Sequence, residues 1–140
     1  MALFPRKVKY RRWHKGRRNI GKRSVALRGN VLCFGSFGIK TEVPGAITVN
    51  QIEAARRVIV RNLGKTGKVW IRIFADRPIT RKPAEVGMGH GKGDPVGFVA
   101  PVKTGSLLFE VDGVDQAIAR DALRKASARL PVKTRFVIRT

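Results

Sequence analysis

The sequence predicts an α+β domain, with two helices packed on a mostly antiparallel sheet and an extended basic arm ahead of it. Three observations lead there. Two stretches carry apolar residues at helical spacing, and several shorter runs alternate at the period of a strand. The first 28 residues hold eleven basic residues and no acid. The expected organisation is therefore an arm over 1–28 and a single domain over 29–140, with a glycine-rich loop at 84–95.

The arm carries Arg6, Lys7, Lys9, Arg11, Arg12, Lys15, Arg17, Arg18, Lys22, Arg23 and Arg28, about half of the chain's net charge of +21. Such a block repels itself and cannot collapse in water alone. Phe4, Tyr10, Trp13 and His14 are interleaved with the charges. Flat rings among guanidinium groups suit the unstacked bases of RNA loops. The alternative is that Tyr10 and Trp13 pin the arm to the body; the preferred reading is an extended arm that orders on RNA.

The body opens with Val31-Leu32-Cys33-Phe34, followed by glycines that bracket aromatic residues, which suggests strands with a bulge or a close backbone approach. Pro44-Gly45 signals a turn. Thr48 and Gln51 form a capping-box pair, and Ile52, Ala55, Ile59 and Leu63 then share one helical face up to Gly64. The other side carries Arg56, Arg57 and Arg61, read as phosphate contacts in preference to a merely solvated face. Lys65 to Lys68 turns into Lys68–Phe74. Both faces of that run are largely apolar, so it is expected as a central strand, with Arg72 at an edge or on RNA. Asp76-Arg77-Pro78 and Lys82-Pro83 mark a departure from the sheet.

Four glycines in the seven residues Gly87 to Gly93 exclude a stable helix or regular strand. The nucleotide-binding pattern G-x-x-x-x-G-K-[ST] fails, because position 86 is Val and position 93 is Gly. The dinucleotide pattern fails at Lys92. What remains is a loop whose backbone can approach a nucleic acid closely, or a plain surface loop. Beyond it, Phe98–Val102 and Leu107–Val111 read as strands. A helix is expected from Asp115 to Arg129, with Ile118, Ala122, Ala126 and Leu130 in register and Leu123 widening the stripe. Asp115 and the later Arg124, Lys125 and Arg129 suit the helix dipole. Pro131 ends it, and Val132–Arg139 alternates again.

Thirty Lys and Arg face nine Asp and Glu. The excess points to a polyanion, and nucleic acid is the first candidate because each phosphate neutralised releases counterions. An anionic membrane is disfavoured, since the densest charge is interrupted by Gly and Pro instead of lying on an amphipathic helix. A DNA-compacting protein would show a recognition-helix pair or a dimer seam. Catalysis is disfavoured because His14 and His90 are the only histidines, and no nucleophile, base and orienter assemble. Cys33 is alone, so neither a disulfide nor a Cys/His zinc site is expected, and Cys33 is read as a small core residue. No cofactor or metal is expected. No run approaches the ~20 apolar residues that span a bilayer. The acid-free start gives no helical apolar face, unlike a transit peptide.

The ordered set of short stretches resembles the large-subunit ribosomal protein L-sixteen family of bacteria and organelles. The stretches are Pro5-Arg-Lys-Val-Lys-Tyr-Arg-Arg12, His14-Lys-Gly-Arg17, Phe34-Gly-Ser-Phe-Gly-Ile-Lys40, Gln51-Ile-Glu-Ala-Ala-Arg-Arg57 and Gly67-Lys-Val-Trp-Ile-Arg-Ile-Phe74. Lys82-Pro83-Ala84, Met88-Gly89, Gly91-Lys92-Gly93, Phe109-Glu110 and Leu130-Pro131-Val-Lys-Thr134 complete it. The resemblance implies an α/β-hammerhead type fold on large-subunit (23S-type) rRNA, beside neighbouring large-subunit proteins. It also implies a role in shaping the A site and positioning A-site and P-site tRNA. The rRNA-binding set expected is Arg6, Lys7, Lys9, Arg11, Arg12, Trp13, Lys15, Arg17, Arg18, Lys22, Arg23, Arg56, Arg57, Arg61, Lys65, Lys68, Arg72, Arg77, Arg81 and Lys82. Met88, Gly89, His90, Gly91, Lys92 and Gly93 form the expected tRNA-facing loop. The family commonly has Arg and Lys where this chain has Gly87 and His90, so two charges are missing and nothing belonging to that arginine carries over. A short chain without a presequence points to the bacterial cytoplasm ahead of an organelle.

Overall fold

The computed structural model describes residues 3–14 and 25–140, so Lys15, Arg17, Arg18, Lys22 and Arg23 of the expected arm lie outside the described residues. Strand β1 (Phe37–Thr41) and β2 (Gly45–Thr48) lead into helix α1 (Val49–Leu63). Then come β3 (Lys68–Ile71), β4 (Arg77–Arg81), β5 (Asp94–Val102), β6 (Leu107–Asp112), helix α2 (Gln116–Ser127) and β7 (Thr134–Ile138). The strands form a four-stranded sheet in the order β3-β6-β1-β7 and a three-stranded sheet in the order β2-β5-β4. Every pairing within these two sheets is antiparallel. The α+β expectation holds, with two sheets instead of one.

Helix α1 starts as its sequence dictates. The Thr48 hydroxyl accepts from the Gln51 amide at 3.3 Å, and the Gln51 side chain accepts from the Thr48 amide at 2.9 Å. Two of the helix's orphan amides are thereby satisfied. Ile52, Ala55, Ile59 and Leu63 are buried as expected. They share a core with Ala119, Ala122, Leu123 and Ala126 of α2 and with Ile39, Phe109 and Val111 of the larger sheet.

Several expectations are corrected. On α2 the core stripe is Ala119, Ala122, Leu123 and Ala126, while Ile118 is exposed. Alanines at i, i+3 and i+7, with Leu123 at i+4, let the two helices pack face to face, and Ile118 falls just off that arc. Cys33 is exposed, not core. The run Val31–Phe34 is no strand, and only Leu32 of the four is buried. Lys68–Ile71 is an edge strand, paired only with β6. Its two covered faces arise because Trp70 stacks on Phe34 from the preceding segment, at 6.2 Å between ring centroids.

The segment read as a departure from the sheet, Arg77–Arg81, is β4. Pro78 is tolerated there because β4 is an edge strand. In β5, the central strand, Pro95 lies opposite β4 beyond the end of β2, and Pro101 lies opposite β2 beyond the end of β4. Each proline therefore sits where β5 has one neighbour only, which is where a strand tolerates a residue without an amide.

Candidate nucleic-acid interface

Residues 3–14 of the arm meet the β4–β5 hairpin. The Phe4 ring stacks on Phe98 of β5, with centroids 6.0 Å apart and planes 6° from parallel. Arg12 donates to the Gly93 carbonyl and to the Asp94 carboxylate, both at 3.3 Å. Lys92 donates to the Trp13 carbonyl, and Arg77 donates to the His14 carbonyl at 3.4 Å. At the other end of the arm the Ala26 amide donates to Thr104 at 2.9 Å, and Ala26 is buried. Arg6, Lys7, Lys9, Arg11 and Trp13 stay exposed. Lys9 stands 5.6 Å from the centre of the Tyr10 ring.

The glycine loop joins β4 to β5. Gly89, His90 and Gly91 have φ of 100°, 56° and 93° in succession. Glycine adopts that region at no steric cost, whereas His90 carries a β-carbon there. Lys82 donates to the Gly89 carbonyl and draws the loop's tip back to its base. At that base a β-carbon on Gly93 would lie 2.7 Å from the Arg81 backbone, so no other residue fits without a shift. Met88, Gly89, His90, Gly91 and Lys92 are all exposed, and Gly93 is half-buried.

Between Trp13 and His14 on one side and β4 on the other lies a cavity of about 870 Å³. Its floor is Ala46, Pro78, Ile79 and Val99, and its rim carries Arg77, Lys82 and Lys92. The structure thus gathers into one place cations from the arm, β4 and the glycine loop, which lie far apart in sequence.

A second group lies on α1 and the turn after it. Arg56 and Arg57 both donate to Glu53, at 2.6–2.8 Å and 3.0 Å. The Arg56 hydrogen bond, opposed by partial burial and aided by Arg57, pulls the Glu53 carboxyl from 4.5 down to about 2. Glu53 thereby holds the two guanidinium groups side by side while the Arg57 side chain stays 75% exposed. Arg61, Lys65 and Lys68 are exposed nearby in sequence, and Arg81 is exposed at the end of β4.

Arg72 is placed differently from the rest of the expected set. Its guanidinium forms an ion pair with Glu110 of β6, which is fully buried, and lies 5.1 Å from the centre of the Phe34 ring. The same carboxylate accepts the amides of Cys33, Phe34 and Gly35, the last two at 2.7 Å. Burial opposes the Glu110 charge, but these amides and Arg72 outweigh it and hold the carboxyl below its usual range. The charge of Arg72 is spent inside the protein. A β-carbon on Gly35 would lie 2.5 Å from the Val111 carbonyl, which is why a glycine stands there.

Sequence reasoning passes over the cations of α2 and β7. Arg120, Arg124, Lys125, Arg129, Lys133, Arg135 and Arg139 are all exposed. Arg135 also lies directly opposite Lys40 of β1. Like charges at such a pairing repel, and an external anion relieves them. The signal lies in the basic end of α2, which compensation of the helix dipole is enough to explain at the level of sequence.

Among the described residues no cluster of three or more His, Cys, Asp or Glu could hold a metal, and no helix is long and apolar enough to cross a membrane. The profile of the family described as ribosomal protein L16p/L10e matches residues 5–137. The chain is 54% identical over 137 residues to the large ribosomal subunit protein uL16 of Rhodopseudomonas palustris (strain BisB5), covering 98% of this chain and 97% of that one. It is 56% identical to the protein of the same name from Parabacteroides distasonis, covering 98% and 92% respectively. With the match running from the arm through β7 and the basic surfaces built from the same stretches, the chain belongs to the ribosomal protein L16p/L10e family.

Proposed function

We propose that this protein is built into the large ribosomal subunit in the cytoplasm, binds large-subunit rRNA there, and helps shape the A site and position tRNA. Membership of a ribosomal-protein family makes it a structural component of the ribosome and not an enzyme. The single observation that carries the nucleic-acid reading is the convergence of Arg77, Lys82 and Lys92 around one apolar-floored cavity beside the arm, with Arg12 on the adjoining Gly93 and Asp94. Lys82 and Lys92 each donate to a backbone carbonyl, a weaker partner than a phosphate oxygen.

Division of labour follows from exposure. The arm and the exposed cations of α1, Lys65, Lys68 and β4 dock the protein on rRNA by neutralising phosphates. The loop from Met88 to Gly93, whose backbone is bare over several residues, faces tRNA. Neighbouring large-subunit proteins complete its surroundings. The test replaces His90 with alanine and compares subunit assembly with A-site tRNA binding. Loss of tRNA binding with assembly intact is expected. Equal loss of both contradicts the separate role of the loop.

A further inference from the structure

The cavity beside Trp13 has a composition that phosphate docking alone does not call for. A surface that only neutralised a backbone would be polar throughout, but this one has an apolar floor of Pro78 and Ile79 under a cationic rim. Trp13, 44% exposed, forms one wall. Its backbone is fixed by the Lys92 contact to its carbonyl and by the Arg12 contact to Asp94 one residue away. At about 870 Å³ the space falls within the range of pockets that hold a ligand of drug size, which a nucleotide is.

The geometry points to this cavity as a pocket for one unpaired RNA nucleotide, its base laid against Trp13 over Pro78 and Ile79 and its phosphate held at the rim by Lys92 and Lys82. An aromatic wall over an apolar floor suits the π-face of a base, and a paired base inside a helix cannot reach it. Lys92 spends one of its three N–H donors on Trp13, leaving donors for a phosphate oxygen. Asp94, the acid beside the loop, is engaged by Arg12 at 3.3 Å and so does not oppose the anion with a bare charge. The inference rests on the rRNA-binding reading and adds that the protein distinguishes an extruded base from a continuous helix.

The test uses the full chain and three short RNA hairpins at one fixed salt concentration. One hairpin is fully paired, one has a single bulged adenosine, and one has an abasic site at the bulge. The bulged adenosine is expected to bind about tenfold more tightly than either control, in keeping with one base stacked on an aromatic ring. Trp13→Ala removes the wall, and Ala46→Phe fills the floor from β2 while leaving Trp13 in place. Both variants are expected to abolish the preference, and Ala46→Phe, which touches none of the docking cations, is expected to leave binding of the paired hairpin in place. Equal, measurable binding of all three hairpins, or a preference that survives either variant, overturns the pocket and leaves the rRNA reading standing. Failure of every hairpin to bind at low salt overturns both.

Discussion

The Glu110 carboxylate of β6 and the Arg72 guanidinium just past β3 form an ion pair that closes over three consecutive backbone amides. It fastens Cys33–Gly35 across the face of the larger sheet away from the helices. Glu110→Ala leaves those amides without an acceptor and Arg72 without its anion. Breaking a buried pair from one side costs about 3–5 kcal/mol. Arg72→Ala is expected to cost less, because the amides still hold the carboxylate. Urea unfolding of the two variants checks the order, and a larger loss for Arg72→Ala would show that the amide contacts contribute little.

Acid should weaken the fold through Glu53 as well. Its folded pKa of about 2 lies below the ordinary 4.5, so its contribution is present above the ordinary value and is lost as pH falls toward 2. Glu110 acts in the same direction, since its carboxyl is also held low. Melting temperature should therefore fall between pH 5 and about 2. Glu53→Gln should make that decline shallower, the difference from the native chain vanishing at the acid end. Parallel curves for the two proteins would remove Glu53 from the account.

The glycine loop should be restrained by Lys82. Lys82→Met removes the donor that reaches the Gly89 carbonyl while keeping most of the stem. Cleavage of residues 83–93 by subtilisin is expected to speed up severalfold, with global stability changed by no more than about 0.5 kcal/mol, as for a surface substitution. Unchanged cleavage would mean that the loop is held by its own backbone turns.

The arm's contribution can be read from salt. Removing residues 1–24 discards ten basic residues but keeps Val25 and Ala26, which meet Thr104 of the body. The remaining chain should fold and bind large-subunit rRNA with a shallower dependence on salt. The slope falls by about 0.7–0.9 for every phosphate that the shortened chain no longer neutralises. A slope equal to that of the full chain would place the docking charge elsewhere, with the α2–β7 surface the first place to look.

Where local chemistry decides the structure, the sequence could be read directly. Thr48, Gln51 and Gly64 bound α1 as expected, and the last two strands form where their apolar runs lie. What stayed hidden depends on distant partners. The proline at position 78 reads as a break until β4 is known to be an edge. Trp70 reads as a sign of a central strand until Phe34 is found covering it. Arg72 looks like one more cation for RNA, and only a carboxylate 38 residues away shows where its charge goes. The converse holds for Arg12, Arg77 and Lys92, which stand out in the sequence by charge or loop composition and are brought together only by the fold.

The central claim is that this protein is an integral part of the large ribosomal subunit, and sedimentation of cell lysate tests it most directly. The chain is followed through a sucrose gradient before and after a high-salt wash. The account predicts co-sedimentation with the large subunit that survives the wash, because a protein built into the subunit is held by packing and base contacts as well as by the phosphate contacts that salt weakens. Release at modest salt, or sedimentation with free RNA alone, would contradict it and point to a general nucleic-acid binder.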